Sequence, residues 1–171
     1  MVGILLIGSG AREVAIAKKI NESISPALLY CIAPTINPQI EKLSEQYFEQ
    51  SPTDVSVVLK LINNLSINLA VVGPENPLEA GLVDALEEIG IGCVGPKKAV
   101  AKIETSKAFA RNILDLCCPE KNPERKEFDS IDGVKEFLQH LNEDYVIKYD
   151  GLMGGKGVKI SGEHLYSIED S

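Results

Sequence analysis

No stretch of this sequence reaches the roughly 18 consecutive apolar residues that a membrane-spanning helix needs. The N-terminus, Met1-Val2-Gly3, passes directly into a strand-like run, with no basic segment and no cleavage site of a secretory leader. Positive charge is not in excess either, because 17 Lys and Arg face 25 Asp and Glu and leave a net charge of -8. That balance argues against nucleic acid or a membrane surface held by bulk electrostatics, while leaving room for a local basic site for a small anion. These absences together predict a cytoplasmic protein with neither nucleic acid nor membrane as partner.

Metal-binding and nucleotide patterns are missing as well. The four cysteines, Cys31, Cys93, Cys117 and Cys118, lack metal-type spacing. Cys117 and Cys118 are adjacent, where a disulfide would be strained, so all four are expected as reduced thiols. His140 and His164 lie in polar surroundings and read as surface residues. The Gly-x-x-x-x-Gly-Lys-Ser/Thr phosphate loop is absent. What remains is an ordinary globular composition, 44% hydrophobic and 25% charged over 171 residues. It suits one domain, or one domain plus part of another.

Ile4-Leu5-Leu6-Ile7 is a continuous apolar run, as in a parallel strand buried on both faces. Gly8-Ser9-Gly10 then leads into residues with helical spacing, Val14 to Ile20. Strand, glycine turn and helix open a doubly wound parallel α/β domain, whose turn aims N–H groups at an anion. A dinucleotide is not expected there. Glu13 stands where the third glycine belongs, and the second strand, 27–32, runs into Ala33-Pro34 with no acid for a ribose hydroxyl. Arg12 favours a single phosphate, with a solvated arginine as the alternative.

Asn37-Pro38 marks a helix entry, Asp54 caps a helix over Val55, Val58, Leu59 and Ile62, and 69–72 is another buried strand. Gly73-Pro74-Glu75-Asn76-Pro77-Leu78 predicts a rigid loop at the carboxyl end of that strand, where open α/β sheets take ligands. Glu75 is read there as a ligand contact or as a helix-start charge. A helix over 81–88, a short strand over 91–94 and a helical pattern over 97–117, interrupted by a cap at Thr105 or Ser106, follow. After a polar, proline-containing stretch come a helix over 131–141 and strands at 146–148 and 158–160.

Between those last strands lies Asp150-Gly151-Leu152-Met153-Gly154-Gly155-Lys156-Gly157. Glycine raises the entropy cost of ordering a chain, so this density points to close backbone approach and exposed N–H groups for phosphate oxygens. Lys148 and Lys156 add positive charge, and Asp150 reads as a turn residue. Ser167 to Ser171 reads as the start of a helix without a body, which predicts an unfinished second unit.

Leu5 to Glu13, Val72 to Leu78, Val94-Gly95-Pro96, Glu104-Thr105-Ser106-Lys107 and Asp150 to Gly157 occur in this order. Together they resemble phosphoribosylamine–glycine ligases (glycinamide ribonucleotide synthetases), ATP-grasp enzymes of purine synthesis. Asn37-Pro38-Gln39-Ile40 is similar to the archaeal branch. The resemblance implies an N-terminal pre-ATP-grasp α/β domain, 1–104, that binds substrate, followed by an incomplete ATP-grasp domain, 105–171. It implies that Gly8, Gly10, Arg12 and Glu75 line a phosphoribosylamine pocket. Lys107, Lys148, Gly151, Gly154, Gly155, Lys156 and Gly157 would hold ATP phosphates.

The implied reaction joins glycine to 5-phosphoribosylamine with ATP, giving glycinamide ribonucleotide, ADP and phosphate. The implied Mg²⁺ or Mn²⁺ ligands and catalytic residues would lie beyond Ser171, in a missing C-terminal portion, so the chain is expected as an inactive fragment. Val14 departs from the family's usual His. Two alternatives are another ATP-grasp ligase, or a non-catalytic nucleotide- or phosphate-binding module such as a split subunit.

Overall fold

The structure, a computed structural model, describes residues 1–141 and 144–168. The chain forms two compact units, Met1–Ala101 and Lys102–Ser171.

The first unit is built on five parallel strands: β1 (Val2–Ile7), β2 (Ala27–Ala33), β3 (Gln46–Glu49), β4 (Leu69–Val72) and β5 (Gly92–Val94). Their order is β3-β2-β1-β4-β5. The central strand pairs Leu5 with Tyr30 on one side and with Ala70 on the other. Because side chains alternate across a strand, the continuous apolar run of β1 feeds two cores. Leu5 and Ile7 pack with Val58, Ile62, Leu82 and Leu86, from α3 (Val55–Ile62) and α5 (Leu82–Glu88). Leu6 faces the opposite way, onto Ala17 and Ile40, from α1 (Ala11–Asn21) and α2 (Pro38–Glu41). Leu5 and Leu6 are fully buried, and truncating either to alanine costs about 2–5 kcal/mol.

Gly3 lets β1 approach the segment that enters β4. Its N–H donates to Asn68 Oδ1 at 2.9 Å and its carbonyl accepts from the Asn68 N–H at 2.9 Å. A methyl group at Gly3 would overlap the Ser66 carbonyl oxygen.

Three elements differ from the sequence expectation. Gln46-Tyr47-Phe48-Glu49 pairs with β2 as an edge strand, although it has no continuous apolar run. The 73–78 stretch turns helical at α4 (Glu75–Ala80), with Pro74 as its N-cap. Pro77 fits there because the N–H groups of a first turn have no intrahelical partner to lose. Gly81, at φ 88°, then separates α4 from α5.

The helical pattern over 97–117 divides into α6 (Lys98–Thr105) and α7 (Lys107–Cys117). Ser106 makes the division by accepting the Phe109 N–H at 3.1 Å. In the second unit, α8 (Val134–His140) is shorter than expected because Gly133, at φ 78°, begins it. Strands β6 (Val146–Lys148) and β7 (Val158–Ile160) form an antiparallel pair. Leu138, Tyr145 and Leu165 make the buried core of this unit. Of the helix start expected at Ser167, residues 169–171 lie outside the described residues. Among the described residues no helix is long and apolar enough to cross a membrane.

Candidate functional site

The sheet reverses its winding at β1, whose chain continues to β2 on one side while β4 lies on the other. Ligands of open α/β sheets sit at the carboxyl ends of such strands. The loop after β1 carries Gly8 and Gly10, the first turn of α1 carries Arg12, and the first residue of α4, after β4, is Glu75. The four residues singled out in the sequence therefore share one edge of the sheet.

Close packing explains both glycines. Gly8 has φ 109°, its N–H donates to Ile32 O at 2.9 Å, and a methyl there would lie 2.8 Å from Pro74 Cγ. Gly10 donates its N–H to Glu13 Oε2 at 2.8 Å. Both N–H groups are thus already engaged within the protein. Arg12 is exposed and Glu75 half-buried, and neither has a hydrogen-bonding or ionic side-chain partner among the described residues.

Two further residues shape this edge. Glu13 is only 3% exposed, and its Oε1 is buried without a hydrogen-bond partner. A methyl on Gly73 would overlap that oxygen, so the loops after β1 and β4 close around one carboxylate. Asn37 ties in the loop after β2. Its Nδ2 donates to Ser9 O at 2.8 Å, its Oδ1 caps α2 through Gln39 N at 3.0 Å, and its N–H donates to Tyr47 Oη at 3.2 Å. Tyr47 in turn donates to Thr35 O at 2.6 Å. The sequence offered a sign of Glu13, as the residue at the third glycine position, and of Asn37, as a helix entry. Neither sign revealed the distant neighbours, Gly73 packed against Glu13 and Ser9 and Tyr47 bonded to Asn37.

Below this edge Cys31 donates to Gly8 O at 3.5 Å. Burial pushes its thiol up to about 12, with Tyr47 opposing and the charge of Glu13 adding. That thiol is a packing group.

The second unit gathers charge around the glycine-rich loop. Asp150 accepts from the Lys107 N–H at 2.5 Å, the Ala108 N–H at 3.2 Å and Ser106 Oγ at 3.0 Å. It is therefore more than a turn residue, because it supplies an acceptor to the two N–H groups of the first turn of α7, Lys107 and Ala108, that the Ser106 cap does not reach. Partial burial pushes its carboxyl up, but the Ala108 N–H, the Ser106 hydroxyl, and the N–H and charge of Lys107 outweigh that and hold it below its ordinary value.

Anchored in this way, Lys107 donates from Nζ to Gly151 O at 2.9 Å, where the loop begins. The loop closes through Tyr149 N to Gly157 O at 2.8 Å and Lys156 N to Met153 O at 3.0 Å. Gly151, Gly154 and Gly155 have φ 121°, 53° and 78°. A methyl at Gly154 or Gly155 would meet open space, so these glycines serve backbone conformation rather than packing. Lys148 and Lys156 are exposed. The structure brings Lys107, Gly151 and Asp150 into contact and leaves the tip of the loop open. Among the described residues no group of three or more His, Cys, Asp or Glu side chains could hold a metal ion.

Comparison with known proteins adds the following. The family described as "Phosphoribosylglycinamide synthetase, N domain" matches residues 2–104. The phosphoribosylamine–glycine ligase of Methanobrevibacter smithii is 41% identical over 168 residues, covering 98% of this chain and 38% of that protein. Among solved structures, phosphoribosylglycinamide synthetase from Anaerococcus prevotii is similar with a TM-score of 0.64 at 13% identity, over 94% of this chain and 38% of that one. N5-carboxyaminoimidazole synthetase from Staphylococcus aureus, complexed with ADP, is similar with a TM-score of 0.72 at 12% identity, over 94% of this chain and 41% of that one. At those identities the two structures show the α/β fold alone. The chain spans less than half the length of the relatives it matches.

Proposed function

This chain belongs to the phosphoribosylglycinamide synthetase family, and from that premise we propose that it is the N-terminal segment of an ATP-dependent ligase. The reaction joins glycine to 5-phosphoribosylamine and yields glycinamide ribonucleotide, ADP and phosphate in purine synthesis. In this reading residues 1–104 form the substrate-binding domain and 105–171 the first part of an ATP-grasp domain. Gly8, Gly10, Arg12 and Glu75 line the phosphoribosylamine site. Lys107, Lys148, Lys156 and the glycines at 151, 154, 155 and 157 hold the phosphates of ATP.

The observation that carries the proposal is the Lys107–Gly151 contact, fixed by Asp150. It puts a cation at the root of a loop whose tip offers unshielded backbone, which is what a polyphosphate needs. ATP supplies the phosphoryl group that turns the glycine carboxylate, a poor electrophile, into one that an amine can attack. Within this chain, Lys107, Lys148 and Lys156 would neutralise phosphate charge, and the loop would exclude water by folding over it.

As a consequence, the chain alone binds phosphoribosylamine weakly and does not turn over. The test is ADP release with glycine, phosphoribosylamine, ATP and Mg²⁺. It is run on this chain alone and on this chain extended to the length of its relatives. Activity confined to the extended form supports the proposal. Glycine-dependent ADP release by this chain alone, or inactivity of both, refutes it.

A further inference from the structure

The glycine-rich loop is gripped at its root by one residue of α7. Lys107 reaches two consecutive loop residues, its backbone N–H donating to Asp150 Oδ1 at 2.5 Å and its Nζ to Gly151 O at 2.9 Å. Ser106 adds a further tie, donating from Oγ to Asp150 Oδ2 at 3.0 Å while it accepts the Phe109 N–H. The far arm of the loop returns to the near one through Tyr149 N–H to Gly157 O at 2.8 Å. Met153 packs so closely there that a methyl on Gly157 would stand 2.8 Å from its Cβ. The tip is open, since a methyl at Gly154 or Gly155 would meet nothing within 4 Å.

The two Lys107 bonds differ in kind. The first joins the backbone of a helix start to a carboxylate, and it holds wherever the side chain points. The second is made by the ammonium at the end of a flexible four-carbon stem, and its acceptor is a neutral carbonyl. An ionised phosphate oxygen is a stronger acceptor for the same ammonium, because charge on both partners roughly doubles the strength of a hydrogen bond. We propose that Lys107 is a latch: in the free chain its ammonium holds Gly151 O and keeps the near arm of the loop ordered, and a polyphosphate draws it off and releases that arm. Asp150 keeps the residue in place throughout, so the exchange needs only rotation of the Lys107 stem. Asp150 is thus a positioning residue, acting on phosphate through Lys107. That the polyphosphate is the one carried by ATP rests on the proposed function of the loop, whereas the latch rests on the contacts at its root.

The probe is inorganic tripolyphosphate, titrated into the nitrogen-15-labelled chain. The Lys107 Nζ signal is followed together with the order of the Gly151 amide, read from nitrogen-15 relaxation. Before any addition, Gly151 is as ordered as β6, and Lys107→Met, which keeps the backbone tie to Asp150, loosens it. Equal order in the two chains overturns the proposal. On addition, Lys107 Nζ shifts and Gly151 loosens to the level of Lys107→Met, which itself gains no further mobility. A shift of Lys107 Nζ with Gly151 still ordered, or no shift at all, overturns the exchange. Asp150→Asn weakens tripolyphosphate binding about threefold or more when Lys107 is present and leaves it unchanged in the Lys107→Met background. An equal loss in both backgrounds refutes the positioning role. If Asp150→Asn fails to fold, Ser106→Ala, which removes one tie to Asp150, is read in the same way. ATP is titrated in parallel. Its failure to shift Lys107 Nζ where tripolyphosphate succeeds refutes the ATP reading of the loop, whereas the latch is decided by the tripolyphosphate arm alone.

Discussion

Gly73→Ala tests the packing that holds the candidate substrate edge together. Gly73 does not lie in the left-handed region, so alanine introduces no backbone strain and the added methyl acts alone. That methyl would overlap Glu13 Oε1 and lie 3.2 Å from Cδ and 3.6 Å from Cγ. A glutamate at the surface would simply move aside. Glu13 is 3% exposed and bonded to Gly10 N–H, so relief requires either a shift of the loop or loss of that bond. Overpacking costs about 1–3 kcal/mol, and a hydrogen bond to a charged group contributes about 1.5–3 kcal/mol. Only one of these routes needs to be taken, so the expected loss is about 2 kcal/mol. For a unit of this size that corresponds to a fall in melting temperature of roughly 10 °C.

Calorimetry of Gly73→Ala, Glu13→Ala and the double variant supplies the assay. If the methyl acts through Glu13, the Gly73→Ala cost shrinks by about 1 kcal/mol or more in the Glu13→Ala background. An equal cost in both backgrounds would refute the reasoning.

Further expectations follow from the same geometry. Gly3→Ala places its methyl against backbone, overlapping the Ser66 carbonyl oxygen and 2.9 Å from its carbon. It should be the more damaging glycine substitution, seen as loss of the cooperative melting transition; a melt like that of the unaltered chain would contradict it. Burial pushes the thiols of Cys31 and Cys93 up to about 12 and about 11, whereas Cys117 and Cys118 are exposed. At pH 8 a thiol reagent should label Cys117 and Cys118 first, as peptide mapping would show. Asp150 has a lowered carboxyl in the folded state. Its contribution is therefore complete above the unfolded value and is lost as pH falls below about 4. Asp150→Ala should cost about 1 kcal/mol at pH 7, as for a lost helix cap, and should flatten the acid limb of the stability curve below pH 4. In the extended, active form, Lys107→Met should raise the KM for ATP by tenfold or more, and an unchanged KM would remove Lys107 from the phosphate site.

The two cores were legible as far as local pattern reaches. Ile4-Leu5-Leu6-Ile7 identifies a strand buried on both faces because no solvent-facing position interrupts it. The N-caps at Asn37 and Asp54 were legible for a similar reason, since a helix start is decided by residues three or four apart, whereas the choice of Ser106 over Thr105 was made by the structure. Edge strand β3 was not legible, because Gln46-Tyr47-Phe48-Glu49, exposed at both ends and half-buried only at Tyr47 and Phe48, is ordered by its pairing with β2 and not by its own hydrophobicity. Helix α4 was hidden by its prolines, which read as loop until Pro74 is placed at the cap and Pro77 in the first turn.

The amino-acid order alone therefore determined a parallel α/β unit, the glycine loops at its strand ends, and a lysine-flanked glycine hairpin near the end of the chain. Each of these is encoded within a few consecutive residues. Tertiary structure alone decided which charges those loops would meet. Glu13 lies under Gly73, 60 residues away in sequence, and Asp150 holds the start of α7, 43 residues away. Contacts of that range depend on how strands and helices are brought together, and hydrophobic burial, which is non-directional, leaves no local mark of them in the sequence.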